Sequence, residues 1–131
     1  GGDSFVYFPS ADVLAAGDVF RTNMYPIVDV HNGGTFGGLI EATALAIEMS
    51  GPDTKIIPGH GFGFTDRDGL DEVYGMLVDI RDRVQTLIDD GASLDDVLEA
   101  RPTAHLDERW GSVPSWTAAD LLPIVYAEYS N

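Results

Sequence analysis

Two short stretches, Ala16-Gly17-Asp18-Val19 and Pro58-Gly59-His60-Gly61, decide how this chain is read. Each follows a run that reads as a buried β-strand, Val13-Leu14-Ala15-Ala16 in the first case and Lys55-Ile56-Ile57 in the second. Each therefore places one metal-capable side chain at a strand end. Glycine before Asp18 and on both sides of His60 lets the backbone turn sharply and leaves space for an ion or substrate beside the side chain. The two segments together suggest half of a metal site.

Working outward, Ser4-Phe5-Val6-Tyr7-Phe8 is β-rich, Pro9-Ser10-Ala11-Asp12 is a turn, and Val13 to Ala16 returns as a second strand. This is a hairpin of a kind found in larger sheets. The stretch from Phe20 to Pro26 reads as irregular, and Asn32-Gly33-Gly34 as a loop. Thr35 caps a predicted helix carrying Leu39, Ile40, Ala44, Ala46 and Ile47, which ends around Ser50-Gly51-Pro52. After the Lys55–Ile57 strand, Leu70, Val73, Tyr74, Leu77, Ile80, Val84, Leu87 and Ile88 recur mostly at three- and four-residue steps. They predict a long helix from Thr65 or Asp66 to a stop at Gly91. Ser93 with Asp96 reads as a capping box for a short helix ended by Pro102. Thr117 with Asp120 opens a last helix, Ala118 to about Tyr129, in which Pro123 should produce a kink. The order is strand, strand, helix, strand, then helices, an α/β chain with a mixed sheet covered by helices, in one domain spanning 1–131.

Composition bounds the function. The chain has 131 residues, 44% of them apolar, enough for one core. Twenty-two acidic against 7 basic residues give a net charge of -15, which argues against nucleic-acid and anionic-membrane partners. Most of that acid falls in helical stretches, where a solvated face is its ordinary role. With no cysteine there are no disulfides and no zinc-thiolate sites, and the compartment stays open. No window approaches the ~18 apolar residues of a membrane span.

The string from Asp3-Ser4-Phe5-Val6-Tyr7-Phe8 through Gly17-Asp18, with Tyr25-Pro26, Gly33-Gly34, Ile56-Ile57-Pro58-Gly59-His60-Gly61 and the long helix beyond, resembles the C-terminal half of a metallo-β-lactamase-fold hydrolase. The resemblance covers roughly Asp3 to Trp110. It implies half of a four-layer αββα sandwich with a one- or two-zinc site at the edge of the sheets, in which Asp18 bridges two metals and His60 completes the second metal's shell. An Asp at the bridging position, where antibiotic-hydrolysing classes often carry Cys or Ser, tilts the comparison towards glyoxalase II-like relatives. The substrate class so implied is a small molecule: a β-lactam, a thioester, a lactone or another ester. The family's main ligand motif, His-x-His-x-Asp-His, occurs nowhere here, and the only histidines are His31, His60 and His105. A catalytic zinc normally takes three protein ligands and a water. The expectation is therefore a fragment lacking its N-terminal half, with no catalytic residue of its own, weak zinc binding and little hydrolysis.

Each candidate has an ordinary alternative. Asp18 also fits a turn or N-cap residue. His60, between glycines, has little local packing to make it a core histidine. His31, beside Asp29 and Asn32, is a substrate-pocket candidate or a loop-surface residue, and His105 reads as helix-capping and packing. Phe62 and Phe64, like the aromatics between Phe20 and Tyr25, either line a substrate pocket or belong to the local core. Gly33-Gly34 and Gly37-Gly38 are too irregularly spaced for a phosphate cradle. A non-enzymatic reading also stands: an acidic half-domain whose uncovered sheet face drives self-association or pairing with the missing half.

Overall fold

The computed structural model describes residues 3–61 and 63–131. Strands β1 (Val6–Phe8) and β2 (Val13–Arg21) form an antiparallel hairpin, and β3 (Lys55–His60) adds to β2 in parallel, giving the sheet order β1-β2-β3. The crossover from β2 to β3 is α1 (Phe36–Met49), and α2 (Arg67–Asp89), α3 (Leu94–Ala100), α4 (Asp107–Trp110) and α5 (Ala118–Tyr129) follow. The protein is thus α/β, with a small mixed three-stranded sheet and five helices. None of the described helices is long and apolar enough to cross a membrane.

Side-chain alternation divides the sheet into two faces. Leu14 and Ile56 stand side by side across β2 and β3, are fully buried, and join Ala16 and Phe20 in the core. The opposite face carries the cross-strand sets Val6–Ala15–Ile57 and Phe8–Val13–Lys55. There Val6, Phe8 and Ile57 are 50%, 51% and 45% exposed, so this face of the sheet is apolar and open to solvent.

The buried face is closed by α1, which packs on β2 and on α2, while α5 packs against α2 and α3. The long helix α2 supplies Leu70, Val73, Met76, Leu77, Ile80 and Val84 at helical spacing. Its acidic residues stay on the solvent side, and Asp66 caps it by accepting from Gly69 N–H. Both predicted capping boxes form, Ser93 with Asp96 and Thr117 with Asp120. The chain stays helical through Pro123.

Two features depart from the sequence reading, and one alternative it left open is resolved. Strand β2 does not stop at Ala16 but runs to Arg21, because β3 pairs with it that far. Of the two readings left open for Phe20 and Tyr25, substrate pocket or local core, the structure has the second: both are buried in the core. The Tyr25 hydroxyl donates to Asp107 Oδ1 at 2.8 Å; burial and this carboxylate raise its pKa well above that of a free phenol. His105 caps no helix: its Nε2 lies 2.6 Å from Asp79 Oδ2, tying the segment before α4 to α2.

The start of α1 is satisfied by a distant residue. Glu128, near the end of α5, accepts from Phe36 N–H at 2.6 Å and Gly37 N–H at 2.8 Å, while Thr35 Oγ1 takes Gly38 N–H. A carboxylate here meets both the free N–H groups and the positive end of the helix dipole. Glu128→Ala is expected to lower stability by about 1–2 kcal/mol in urea unfolding, and Glu128→Gln by less, since the amide keeps one acceptor.

Candidate functional site

The site begins with a break in strand register. Ala15 pairs with Ile57 and Gly17 with Pro58, but the next partners are Arg21 and His60, so Asp18, Val19 and Phe20 stand opposite the single residue Gly59. The extra residues bulge out of β2. Gly17 at φ +57° takes the left-handed conformation that starts the bulge, which an L side chain adopts only with strain. Beyond His60, Gly61 at φ +115° turns the chain back so that Thr65 bridges Ile56. Gly61 also lies where a Cβ would collide with Thr22.

This register places the Asp18 carboxylate directly over Gly59. A Cβ on Gly59 would overlap Asp18 Oδ1 and would stand 2.6 Å from the Gly17 carbonyl carbon and 2.7 Å from the Asp18 nitrogen. The absence of a side chain at 59 is what lets Asp18 reach His60, whose Nδ1 is 2.9 Å from Asp18 Oδ1. Both side chains are more than half exposed, at 57% and 56%. Two residues 42 apart in the chain therefore meet at an open edge of the sheet.

Arg21, which the sequence reading passed over, is the third member. Its side chain is only 14% exposed, and its terminal nitrogen is 3.9 Å from Asp18 Oδ2, an ion pair longer than a hydrogen bond. Its Nε is buried with no hydrogen-bond partner among the described residues. A neighbouring brace holds the segment after β2: Arg109 donates to the Thr22 carbonyl at 3.1 Å and to Glu72 on α2 at 3.1 Å, and it stacks 4.0 Å above the Trp110 ring.

The remaining candidates sit elsewhere or are not described. His31 lies in an exposed 3-10 turn, Val30–Asn32, and makes no hydrogen bond or ion pair to Asp18 or His60 among the described residues. Phe64 is 65% exposed on the turn after His60. Phe62 falls outside the described residues.

Chemically, the pair offers one carboxylate oxygen and one imidazole. That donor set suits zinc, for which bonds of about 2.0–2.1 Å in tetrahedral geometry set ligand atoms about 3.3 Å apart. At 2.9 Å Asp18 Oδ1 and His60 Nδ1 are hydrogen-bonded to each other, so the two would have to part and turn outward to share one ion. They are also only two. Among the described residues no group of three His, Asp or Glu side chains converges to hold a metal. No family model matches the chain, and no curated protein matches it.

Gly59→Ala is expected to destabilise the protein by about 2 kcal/mol or more, since neither the Gly17 backbone nor the Asp18 carboxylate can yield without breaking the bulge. It should also abolish the Asp18–His60 contact, read as a change in the His60 ring resonances by NMR. A variant with wild-type stability and unchanged resonances would refute the register described above.

Proposed function

We propose that this chain is the C-terminal half of a zinc-dependent hydrolase with the metallo-β-lactamase fold, contributing Asp18 and His60 as two metal ligands. The observation that carries the proposal is the meeting of these two side chains, 2.9 Å apart, at strand ends made accessible by Gly17, Gly59 and Gly61. The uncovered apolar face of Val6, Phe8, Val13, Ala15 and Ile57 supports the sandwich reading, because a four-layer fold would lay a second sheet there.

In this reading Asp18 and His60 hold and orient the ion at the sheet edge, and Gly59 and Gly61 keep the approach clear. Zinc, when bound, supplies a Lewis acid and a water ionised near neutral pH, the chemistry needed to cleave a β-lactam, a thioester or another ester. The other ligands come from the N-terminal half, so this chain alone binds zinc weakly and turns over little. Asp18→Ala and His60→Ala should each weaken zinc binding by about tenfold or more in competition with a chelating dye. Affinity unchanged in both variants would overturn the proposal.

The same open face favours a second reading, an acidic half-domain that works by association. Under it the chain self-associates through β1 and β3, and sedimentation equilibrium should show a dimer that Phe8→Lys converts to monomer. A wild-type chain that stays monomeric at all concentrations tested would exclude it.

A further inference from the structure

Helix α1 carries a second apolar stripe that the core does not use. Its buried side is Phe36, Ile40, Thr43 and Ala46. Gly38, Ala42, Leu45 and Met49 follow one another at steps of four, three and four residues along a different side of the helix. There Leu45 is 49% and Met49 37% exposed. Between this stripe and the segment leading into β1 runs an open groove of about 580 Å³, whose apolar lining is Phe5, Val19, Leu39, Ala42, Leu45 and Met49.

The charges around the groove have one sign. Asp3 lines it, and no lysine or arginine does. Glu41 stands four residues before Leu45 and Glu48 three after it, so each lies one turn from Leu45 on the helix surface, and both are exposed. Among the described residues Asp3, Glu41 and Glu48 have no ion-pair partner, whereas Asp18, Glu72, Asp79, Asp82 and Asp107 each face an arginine. The donors at the adjacent helix start are already taken: Phe36 and Gly37 N–H by Glu128, and Gly38 N–H by Thr35. An anionic ligand would therefore find no partner there and would meet three carboxylates. An apolar ligand carrying cations meets complementary groups on both counts.

We infer that this groove docks a basic amphipathic helix of a partner protein, with apolar side chains on Phe5, Leu45 and Met49 and lysines or arginines against Asp3, Glu41 and Glu48. The stripe from Gly38 to Met49 covers about three turns, roughly 16 Å, which suits a helix laid along it with anchors three to four residues apart. Gly38 and Ala42 add little bulk, so the two axes can approach to about 8 Å. A second copy of this chain is a poorer occupant, because it would bring Glu41 and Glu48 of one copy against those of the other. The inference goes beyond the metal reading and uses neither Asp18 nor His60.

The probe is a synthetic peptide of about 18 leucine and lysine residues patterned as an amphipathic helix, titrated by calorimetry into the 131-residue chain without metal. Two reference peptides accompany it: leucine and glutamate in the same pattern, and lysine and serine with the same charge and no apolar face. The leucine–lysine peptide should bind, and both references should bind at least about tenfold more weakly. Leu45→Ser with Met49→Ser should weaken it about tenfold, as should Glu41→Lys with Glu48→Lys, while Asp71→Lys with Glu99→Lys, away from the groove, should change it less than about twofold. All of these positions are exposed, and thermal unfolding of each variant checks that the fold is kept. No binding of the leucine–lysine peptide would overturn the inference. Equal weakening by the two lysine pairs, with none from the serine pair, would overturn it in favour of bulk charge. Equal binding of the leucine–glutamate peptide would overturn the choice of a basic partner. A wild-type dimer in sedimentation that the serine pair dissolves would give the groove to a second copy and overturn the inference as well.

Discussion

The parallel pairing of β2 with β3, and the slip within it, is the constraint on which the candidate site depends. Up to Ile57 the two strands run in regular register, and Leu14 and Ile56 lock the sheet to the helices. After Ile57 the register breaks twice: Ala16 is passed over between Ala15 and Gly17, and beyond Pro58 three residues of β2 stand opposite one of β3. Continued in the earlier register, Asp18 would itself pair with His60; the slip instead sets Arg21 opposite His60 and brings the Asp18 carboxylate over Gly59. The slip depends on residues without side chains. Gly17 takes a left-handed conformation, and Gly59 accepts a carboxylate where any Cβ would collide.

The rest of the molecule holds that slip in place. The buried row of α2 presses on α1 and α5, and α1 in turn covers β2. Glu128 joins the end of α5 to the start of α1, and Arg109 joins α4 and α2 to the segment that follows β2. Each link spans a long stretch of chain, so the strand ends are positioned by the whole helical layer. Beyond Glu128 and Glu72, most of the acidic surplus takes no part in these links. It lies mainly along solvent-facing helix surfaces.

Much of this was legible in the sequence because it is local. Thr35, Asp66, Ser93 with Asp96, and Thr117 with Asp120 mark helix starts through side-chain bonds to backbone a few residues away, and the structure contains each of them. The three- and four-residue spacing of apolar positions in α2 was equally readable. What escaped is non-local. The extension of β2 past Asp18 depends on β3, some forty residues on, and the Glu128 cap reaches across 92 positions. Phe20 and Tyr25 looked like loop aromatics because the burial that claims them comes from later helices. Arg21 carried one faint signal, a basic residue in a strongly acidic chain three positions after a candidate ligand, but its burial could not be read without the bulge.

The central claim is that Asp18 and His60 are two corners of a metal site. The most direct test is X-ray diffraction from zinc-soaked crystals of this chain, recorded on both sides of the zinc absorption edge. The account predicts an anomalous peak about 2.0–2.1 Å from Asp18 Oδ1 and from a His60 ring nitrogen, on the solvent side of Gly59. Anomalous peaks confined to the acidic helix surfaces, with the Asp18–His60 hydrogen bond intact beside them, would contradict it.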